Sequence, residues 1–279
     1  MNRKALSEDI NQRFVAINRS AKKMVAHFDK DMLLDFRITV QKLRSFLNLI
    51  CVETVNGADT LKIRRRLKSF YGYAGIIRNI QIQLHHINKI IPDNSFTGLD
   101  PYIGALQRDM EGWKHEAIAM LTDHDDFDEE KNIISKSIPA QLTKLSIRKF
   151  IIRNADQANE LLILRNVDEN NLHQLRKITK DIFYNWPYIE EEATNLLPPG
   201  INSYERISAL TSILNMYGEE CAALDLLLPS YTAAVQDEAA KKLLHDLRLK
   251  LQGNKEDLRI EFYDNLLKFR SAAISPGHI

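Results

Sequence analysis

The sequence predicts an all-α fold, and three observations lead to that prediction. The chain of 279 residues contains only ten glycines and eight prolines, and no window alternates apolar and polar residues for long enough to indicate a strand. Apolar residues recur at helical spacing along almost the whole chain. A basic helix followed by a helix with one glycine in a fixed place also occurs twice, which indicates an internal repeat.

The first half of the chain is expected to begin with a helix from about Ser7 to Phe28. The next helix has a start signal at Asp29 or Asp31 and one apolar face. That face consists of Leu33, Phe36, Val40, Leu43, Leu47 and Ile50. A third helix has the same spacing at Ile63, Leu67, Phe70, Ala74, Ile77 and Leu84, and its pattern ends near Pro92.

The second half repeats this order. A helix is predicted from Leu142 to Leu164, and an apolar face follows at Leu172, Leu175, Thr179, Ile182 and Trp186. Pro187 marks an end or a kink of that helix, because proline cannot donate the backbone hydrogen bond. Two further helices, Glu238 to Leu251 and Lys255 to Phe269, are predicted to complete the chain.

Short polar connections separate these segments and predict antiparallel neighbours packed as bundles. The breaks are expected at Val55 to Asp59, Pro92 to Pro101, Asp123 to Glu130, Asn166 to Asn171, Leu197 to Ser203 and Gln252 to Asn254. We interpret residues 1–279 as a single domain, made of repeat one at about 1–140 and repeat two at about 141–279.

The bulk composition indicates an ordinary globular protein with little net charge. The formal charge is +1, from 38 Lys and Arg against 37 Asp and Glu, so attraction for a polyanion must come from local clusters of cations. Two cysteines, Cys51 and Cys221, form no disulfide framework and fit a reducing compartment. No stretch has the length of a signal peptide or a membrane span. We therefore expect a cytoplasmic protein without a membrane partner.

Two basic stripes stand out in the first half. Arg37, Gln41 and Arg44 lie three and four residues apart, and so project from one side of their helix. A second stripe on the next helix consists of Arg64, Lys68, Tyr71 and Arg78. Neither stripe contains an acid. Because unpaired cations in one groove repel each other, this pattern favours an anionic ligand.

The second half carries a corresponding stripe, His173, Arg176, Lys180 and Tyr184. Arg37 and Arg176 are 139 positions apart (176 − 37), and the glycines Gly75 and Gly218 are 143 apart (218 − 75). The spacing between the stripe and the glycine is thus kept to within four residues. A glycine in a helix favours close approach of another helix or of a ligand.

Motifs for catalysis or metal binding are missing from the sequence. Asp123 to Asp128 is acidic, but an EF-hand loop needs glycine at its sixth position, where Asp128 stands. No phosphate-binding glycine loop, Gly-x-Ser-x-Gly elbow or His-Glu-x-x-His pair occurs. We therefore predict a protein that is not an enzyme and has no cofactor and no metal.

At these residues the sequence resembles a CHAD domain, a helical family named for conserved histidines. Its members carry in each repeat a helix that begins His-x-x-Arg, with further Arg or Lys at helical spacing. The second repeat matches at His173, Arg176, Lys180 and Tyr184, and the first at Arg37, Lys42, Leu43 and Arg44. In the first repeat Leu34 stands at the histidine position and Gln41 at a basic position.

The glycine helices resemble the family less completely. The first-repeat motif, Gly-x-x-Arg-Asp, matches at Gly75 and Arg78, with Asn79 in place of Asp; in the second, only Gly218 of Gly-x-x-Asn-Asp matches. Thr211 and Cys221 stand in register with Lys68 and Arg78, so we expect the second-half groove to be the weaker one. The resemblance covers roughly Ser7 to Phe269, and by this resemblance the chain looks like a stand-alone, partly degenerate member.

The resemblance implies two helical bundles related by a pseudo-twofold, with a basic central cavity that binds inorganic polyphosphate or a similar polyanion. It also implies that such a protein can associate with polyphosphate granules. The residues expected to bind are Arg37, Lys42, Arg44, Arg64, Lys68, Arg78, His173, Arg176, Lys177, Lys180 and Tyr184. We expect them to face a shared groove free of carboxylates.

Two alternatives remain open from the sequence. The first is a structural or protein-interaction scaffold that keeps this fold but has lost the ligand, as the near-zero net charge and the missing histidine and acid positions suggest. The second is a metal-dependent enzyme acting on phosphate esters or nucleotides, which the absence of a carboxylate cluster beside the cations disfavours. The stripes lack the interleaved aromatic residues that stack nucleic acid bases. Oligomeric state is left undetermined.

Overall fold

The computed structural model describes residues 1–53, 61–91, 97–123, 126–163, 168–198 and 201–272. These residues form helices and no strand, which confirms the predicted all-α fold. The α-helices are α1 (Arg3–His27), α2 (Lys30–Ile50), α3 (Arg65–Ile90), α4 (Asp100–Asp123), α5 (Asp128–Lys136), α6 (Lys144–Ile163), α7 (Glu169–Leu196), α8 (Tyr204–Asp225), α9 (Pro229–Thr232) and α10 (Glu238–Ala272). A short 3-10 helix, Cys51–Glu53, follows α2.

Side-chain caps fix where the long helices begin. Asp29, not Asp31, caps α2, because its Oδ1 accepts a hydrogen bond of 2.8 Å from the backbone N–H of Met32. Asp168 caps α7 in the same way at 2.8 Å, and Ser203 caps α8. Each cap satisfies one of the backbone donors that a helix start leaves without a partner. The two basic helices, α2 and α7, therefore start with equivalent caps.

The helices pack as two similar bundles. In the first, α1 packs on α2, α2 on α3 and α3 on α4; in the second, α6 packs on α7, α7 on α8 and α8 on α10. The bundles meet through contacts of α2 with α7 and of α3 with α8. This order matches the repeat predicted from the sequence, and it puts both basic helices at the junction between the bundles.

Two hydrophobic clusters hold this arrangement together. The larger runs through both bundles and includes Phe14, Phe36 and Phe70 from the first and Phe150 and Trp186 from the second. The smaller joins the C-terminal parts of α3 and α8 to α4, α9 and α10. Burial of this much apolar surface is the main stabilising term in folding. The larger cluster therefore extends across the junction between the two bundles.

One boundary prediction is wrong. The predicted break at Gln252 to Asn254 lies inside α10, which continues past Gly253. Buried Leu251 and Phe262 pack on both sides of it, and this packing offsets the cost of about 1 kcal/mol that glycine carries in a helix. Of the two outcomes predicted at Pro187, an end is excluded, because α7 continues through the proline to Leu196.

Other boundaries agree with the structure, and some fall outside what it describes. The breaks at Asn166 to Asn171 and Leu197 to Ser203 coincide with the starts of α7 and α8. The segment Val55 to Asp59 lies outside the described residues. Two short helices, α5 and α9, were not predicted, because nine and four residues are too short to show a clear period. Within the described chain, no helix is long and apolar enough to cross a bilayer.

Candidate functional site

The two basic helices meet at a pocket of about 230 Å³ between the bundles, hereafter the central pocket. Its lining residues are Arg37, Gln41 and Arg44 from α2, Tyr71 from α3, and His173, Arg176, Lys177 and Lys180 from α7. Five of the eight are arginines or lysines. Among these described lining residues there is no aspartate or glutamate. The pocket is thus lined by positive charge drawn from both repeats.

A glycine accommodates one arginine in each repeat. A Cβ atom added to Gly75 would overlap the guanidinium of Arg37, and its distance to Cζ would be only 3.2 Å. At Gly218 a Cβ atom would lie 2.7 Å from Nη1 of Arg176. Both arginines therefore lie directly against the glycine helix of their own repeat. This close approach explains why the glycines keep their spacing from the arginines in the sequence.

Hydrogen bonds from the same helices orient the two guanidinium groups. Nη1 of Arg37 donates to the backbone oxygen of Tyr71 at 3.4 Å, and the guanidinium lies 4.6 Å from the centre of the Tyr71 ring. Nε of Arg176 donates to Oδ1 of Asn215 at 3.0 Å. These contacts leave other N–H groups of each guanidinium without a carboxylate partner among the described residues.

Gln41 connects three helices at the centre of the pocket. Its Oε1 accepts hydrogen bonds from Nζ of Lys180 at 3.1 Å and from the hydroxyl of Tyr184 at 3.2 Å, both on α7. Its Nε2 donates to the hydroxyl of Tyr71 on α3 at 2.7 Å. Gln41 and Lys180 are 139 positions apart, the same as Arg37 and Arg176. The amide therefore occupies the place that a second lysine would take in a symmetric site.

Lys180 is a buried cation surrounded by other cations. Lys180 is only 7% exposed to solvent. No carboxylate among the described residues lies within ion-pair distance of it, of Arg37, of Arg44 or of Arg176. Burial, and then the charges of the nearby arginines, lower the pKa of Lys180 to about 7. The pocket therefore holds positive charge that the surrounding protein does not neutralise.

The same environment acts on the other titratable groups of the pocket. Burial lowers the pKa of Arg37 and of Arg176, although both remain protonated because guanidinium is so basic. Burial, and then Lys177 and Arg176, lower the pKa of His173. An anion placed among these groups would oppose every one of these shifts, because it favours the charged form of each.

Arg78 differs from the other arginines, because it forms an ion pair across the two repeats. Its Nη2 lies 2.6 Å from Oε1 of Glu219, which is next to Gly218 on α8. The expectation that the stripe containing Arg78 faces a groove free of carboxylates is therefore wrong at this position. Spacing along α3 does not reveal an acid that a different helix supplies.

The remaining residues expected at the site lie outside the lining of the pocket. Lys42 is exposed on α2, and its backbone oxygen accepts a hydrogen bond from Arg13 of α1. Arg64 precedes α3, where its charge acts on Glu130, and Lys68 is exposed in the first turns of α3. Tyr184 does not line the pocket, but its hydroxyl donates a hydrogen bond to Gln41, which does. The pocket thus collects Arg37, Arg44, His173, Arg176, Lys177 and Lys180 from the expected set.

Sequence reasoning missed Asn215 and Glu219. Asn215 lies three residues before Gly218, and so shares its helix face, which is a signal that could have found it. Glu219 follows Gly218 directly and gives no such signal. Among the described residues, no group of three or more His, Cys, Asp or Glu side chains is arranged to hold a metal ion. The acidic segment Asp123 to Asp128 includes positions outside the described residues.

The fold and this site define a protein built of two related helical bundles with basic helices at their junction. A model of the CHAD domain family matches residues 8–214, so the chain belongs to the CHAD domain family. The crystal structure of the CHAD domain from the plant Ricinus communis superposes with a TM-score of 0.69 at 17% identity. That match covers 95% of this chain and 91% of the plant chain, and at this identity it shows the fold alone. No curated protein matches the sequence.

Proposed function

We propose that this protein binds inorganic polyphosphate, or a similar phosphate-rich polyanion, in the central pocket, and that it does so without catalysis. The observation that supports the proposal is the buried Lys180, which has three arginines around it and no described carboxylate partner. A linear polyphosphate carries about one negative charge per unit, so several units can neutralise these cations together. Binding would then be favoured by Coulomb attraction and counterion release.

The side-chain chemistry suits phosphate oxygens. A guanidinium can hold two oxygens of one phosphate group, whereas an ammonium acts as a point charge. Arg37 and Arg176 each lie against the glycine of their own repeat, and both line the pocket together with Lys180.

The direct test is a titration of the protein with long-chain polyphosphate at two salt concentrations. If about five cations contact phosphates, the slope of log K against log salt should be roughly −3 to −4, by analogy with single-stranded nucleic acid. The double variant R37Q/R176Q should lose binding, since it removes both guanidinium groups. The variant K42Q removes a cation of α2 that lies outside the pocket, and should bind as the wild type does.

A second candidate is a scaffold of the same fold without a ligand. The ion pair between Arg78 and Glu219 favours it, because this acid neutralises one expected binding residue inside the protein. Absence of binding at low salt, or binding that salt does not change, would support the scaffold and overturn the polyphosphate proposal. Hydrolysis of a triphosphate dependent on Mg²⁺ would instead revive an enzymatic role.

The proposed ligand also fits a cytoplasmic location and association with polyphosphate granules. Granule association would follow from the same charges, so the R37Q/R176Q variant should lose it when the wild type and the variant are compared by fluorescence microscopy. A variant that still colocalises with polyphosphate would show that the central pocket is not what brings the protein to the granule.

A further inference from the structure

We propose that the central pocket takes the end of a polyphosphate chain, with the rest of the chain leaving on the α6 side past Lys177 and Arg153. This inference rests on the proposed function and concerns the same site. It comes from the unlike charges of two cavities that adjoin the central pocket. One cavity lies between α7 and α8, and the other lies between α2, α6 and α7.

The cavity between α7 and α8 is unfavourable for a polyanion. It has a volume of about 430 Å³, shares His173 and Arg176 with the central pocket, and is lined by the carboxylates Glu169 and Asp225. Glu169 is paired with Lys255 at 2.5 Å, which leaves Asp225 as an additional negative charge. A chain that left the pocket in this direction would meet two carboxylates, and Arg176 is the one lysine or arginine among the described lining residues.

Further acids lie on α8 and α10. Glu219 forms an ion pair with Arg78, and Glu220 and Asp257 line a cavity between α3, α8 and α10. The pKa of Glu220 is raised, chiefly by burial and with a contribution from Glu219, as expected for carboxylates crowded together. The carboxylates of Glu220 and Asp257 add negative charge on this side, which disfavours a polyanion there.

The cavity on the α6 side offers cations instead. It has a volume of about 520 Å³ and shares Lys177 with the central pocket, and Arg153 and Lys62 also line it. Its acids are Glu160 and Asp181. Both oxygens of Asp181 accept hydrogen bonds from α2, from Ser45 at 2.6 Å and from Asn48 at 2.8 Å, so its carboxylate faces the helix junction. A chain can therefore continue in this direction past Lys177 and Arg153.

The charge of a chain end also fits the central pocket. A terminal phosphate, like a phosphomonoester, has a second ionisation near pH 6 and so carries close to two charges at neutral pH, twice the charge of an internal unit. Lys180 and the two guanidinium groups line one pocket, and no acid is among its described lining residues. The most highly charged unit of the polymer should occupy that place.

The number of proteins bound per polyphosphate chain distinguishes binding at the chain ends from binding along the chain. Two polyphosphate preparations that differ several-fold in length, both long enough to keep two protein molecules apart, are titrated, and the number of proteins bound per chain is measured by calorimetry or by light scattering. We expect two proteins per chain at both lengths. A number that rises in proportion to length overturns end binding and leaves the proposed function intact. Absence of binding to either preparation overturns both.

A variant pair tests the direction in which the chain leaves. R153Q should weaken binding of long polyphosphate about two- to fivefold, as expected for one partly exposed ion pair, and should leave tripolyphosphate unaffected because that ligand is held within the central pocket. R148Q removes a cation from the same helix that pairs with Glu192 at 3.5 Å, away from the cavity, and should change neither affinity. An unchanged affinity of R153Q for long chains, or an equal loss for both ligands, would overturn the proposed path.

Discussion

The two repeats place an arginine against a glycine in the same way, but they surround that pair with different side chains. Arg37 lies against Gly75 and beneath the ring of Tyr71, whereas Arg176 lies against Gly218 and bonds to Asn215. On the basic helices, Gln41 of the first repeat stands where the second repeat has Lys180. The shape of the junction is thus repeated, while its charge is not.

The two repeats contribute different numbers of cations to the central pocket. The second repeat supplies three lysines and arginines from α7, and the first repeat supplies two arginines from α2. The glycine helix α8 supplies none. Its Cys221 stands in register with Arg78 and lies beside Glu169. Burial is the main cause that raises the pKa of the Cys221 thiol, to about 12. The glycine helix α3 of the first repeat supplies no lysine or arginine to the lining either, since Tyr71 is its contribution.

The largest expected effect tests whether the two arginines are equivalent. R37Q and R176Q should each weaken polyphosphate binding by about 10- to 100-fold, because each removes a charge-assisted hydrogen bond of roughly 1.5–3 kcal/mol. Isothermal titration of the two variants side by side measures this. A loss confined to one of them would mean that the ligand uses one repeat alone.

The buried Lys180 makes a prediction about pH. Its folded-state pKa of about 7 lies below the ordinary value of 10.5, so the charged form destabilises the fold. This penalty is fully present below pH 7, declines as pH rises from about 7 to about 10.5, and is absent above that range. K180M should therefore raise the free energy of unfolding, on the order of 2–4 kcal/mol at pH 6, and by much less at pH 10.

Ligand binding should reverse the shift at Lys180. A bound polyanion raises the pKa of this ammonium, so the protein should take up a proton on binding near neutral pH, and affinity should fall as pH rises above about 7. Calorimetry in two buffers of different ionisation enthalpy measures the proton uptake. An uptake that persists in K180M would have to be assigned to another group, such as His173.

A smaller effect is expected at Arg78, whose charge is neutralised by an acid of the other repeat. E219Q removes the carboxylate that pairs with Arg78, so a guanidinium of the first repeat becomes available to an anion. Polyphosphate affinity should rise about two- to fivefold, as for one exposed ion pair. E256Q is a matched control, because Glu256 pairs with Arg259 in the exposed part of α10. Unchanged affinity in E219Q would show that Arg78 does not reach the ligand.

The sequence could predict the helices and the repeat, because apolar periodicity and the spacing of arginine and glycine are both local signals. It could not predict which of the expected cations would line the pocket and which would lie elsewhere. Lys42 and Lys68 carry the right charge at a helical spacing, but neither lines the pocket. Packing angles decide which turn of a basic helix faces its partner, and contacts between residues far apart in the chain decide which cation meets an acid. Glu219, 141 positions from Arg78, is the example here.

The smallest expected effect concerns glycine-to-alanine variants, which distinguish the two glycines that lie against pocket arginines from one that does not. Gly253 of α10 has open space around its Cα, whereas Gly75 and Gly218 each face an arginine. G253A should stabilise the protein by about 0.5–1 kcal/mol, because alanine is the better helix former. G75A and G218A have the same helical advantage, but the added methyl group must displace the tip of Arg37 or Arg176, so polyphosphate affinity should fall. Thermal unfolding and titration of the three variants measure both quantities, and an affinity loss in G253A would contradict the assignment of the two site glycines.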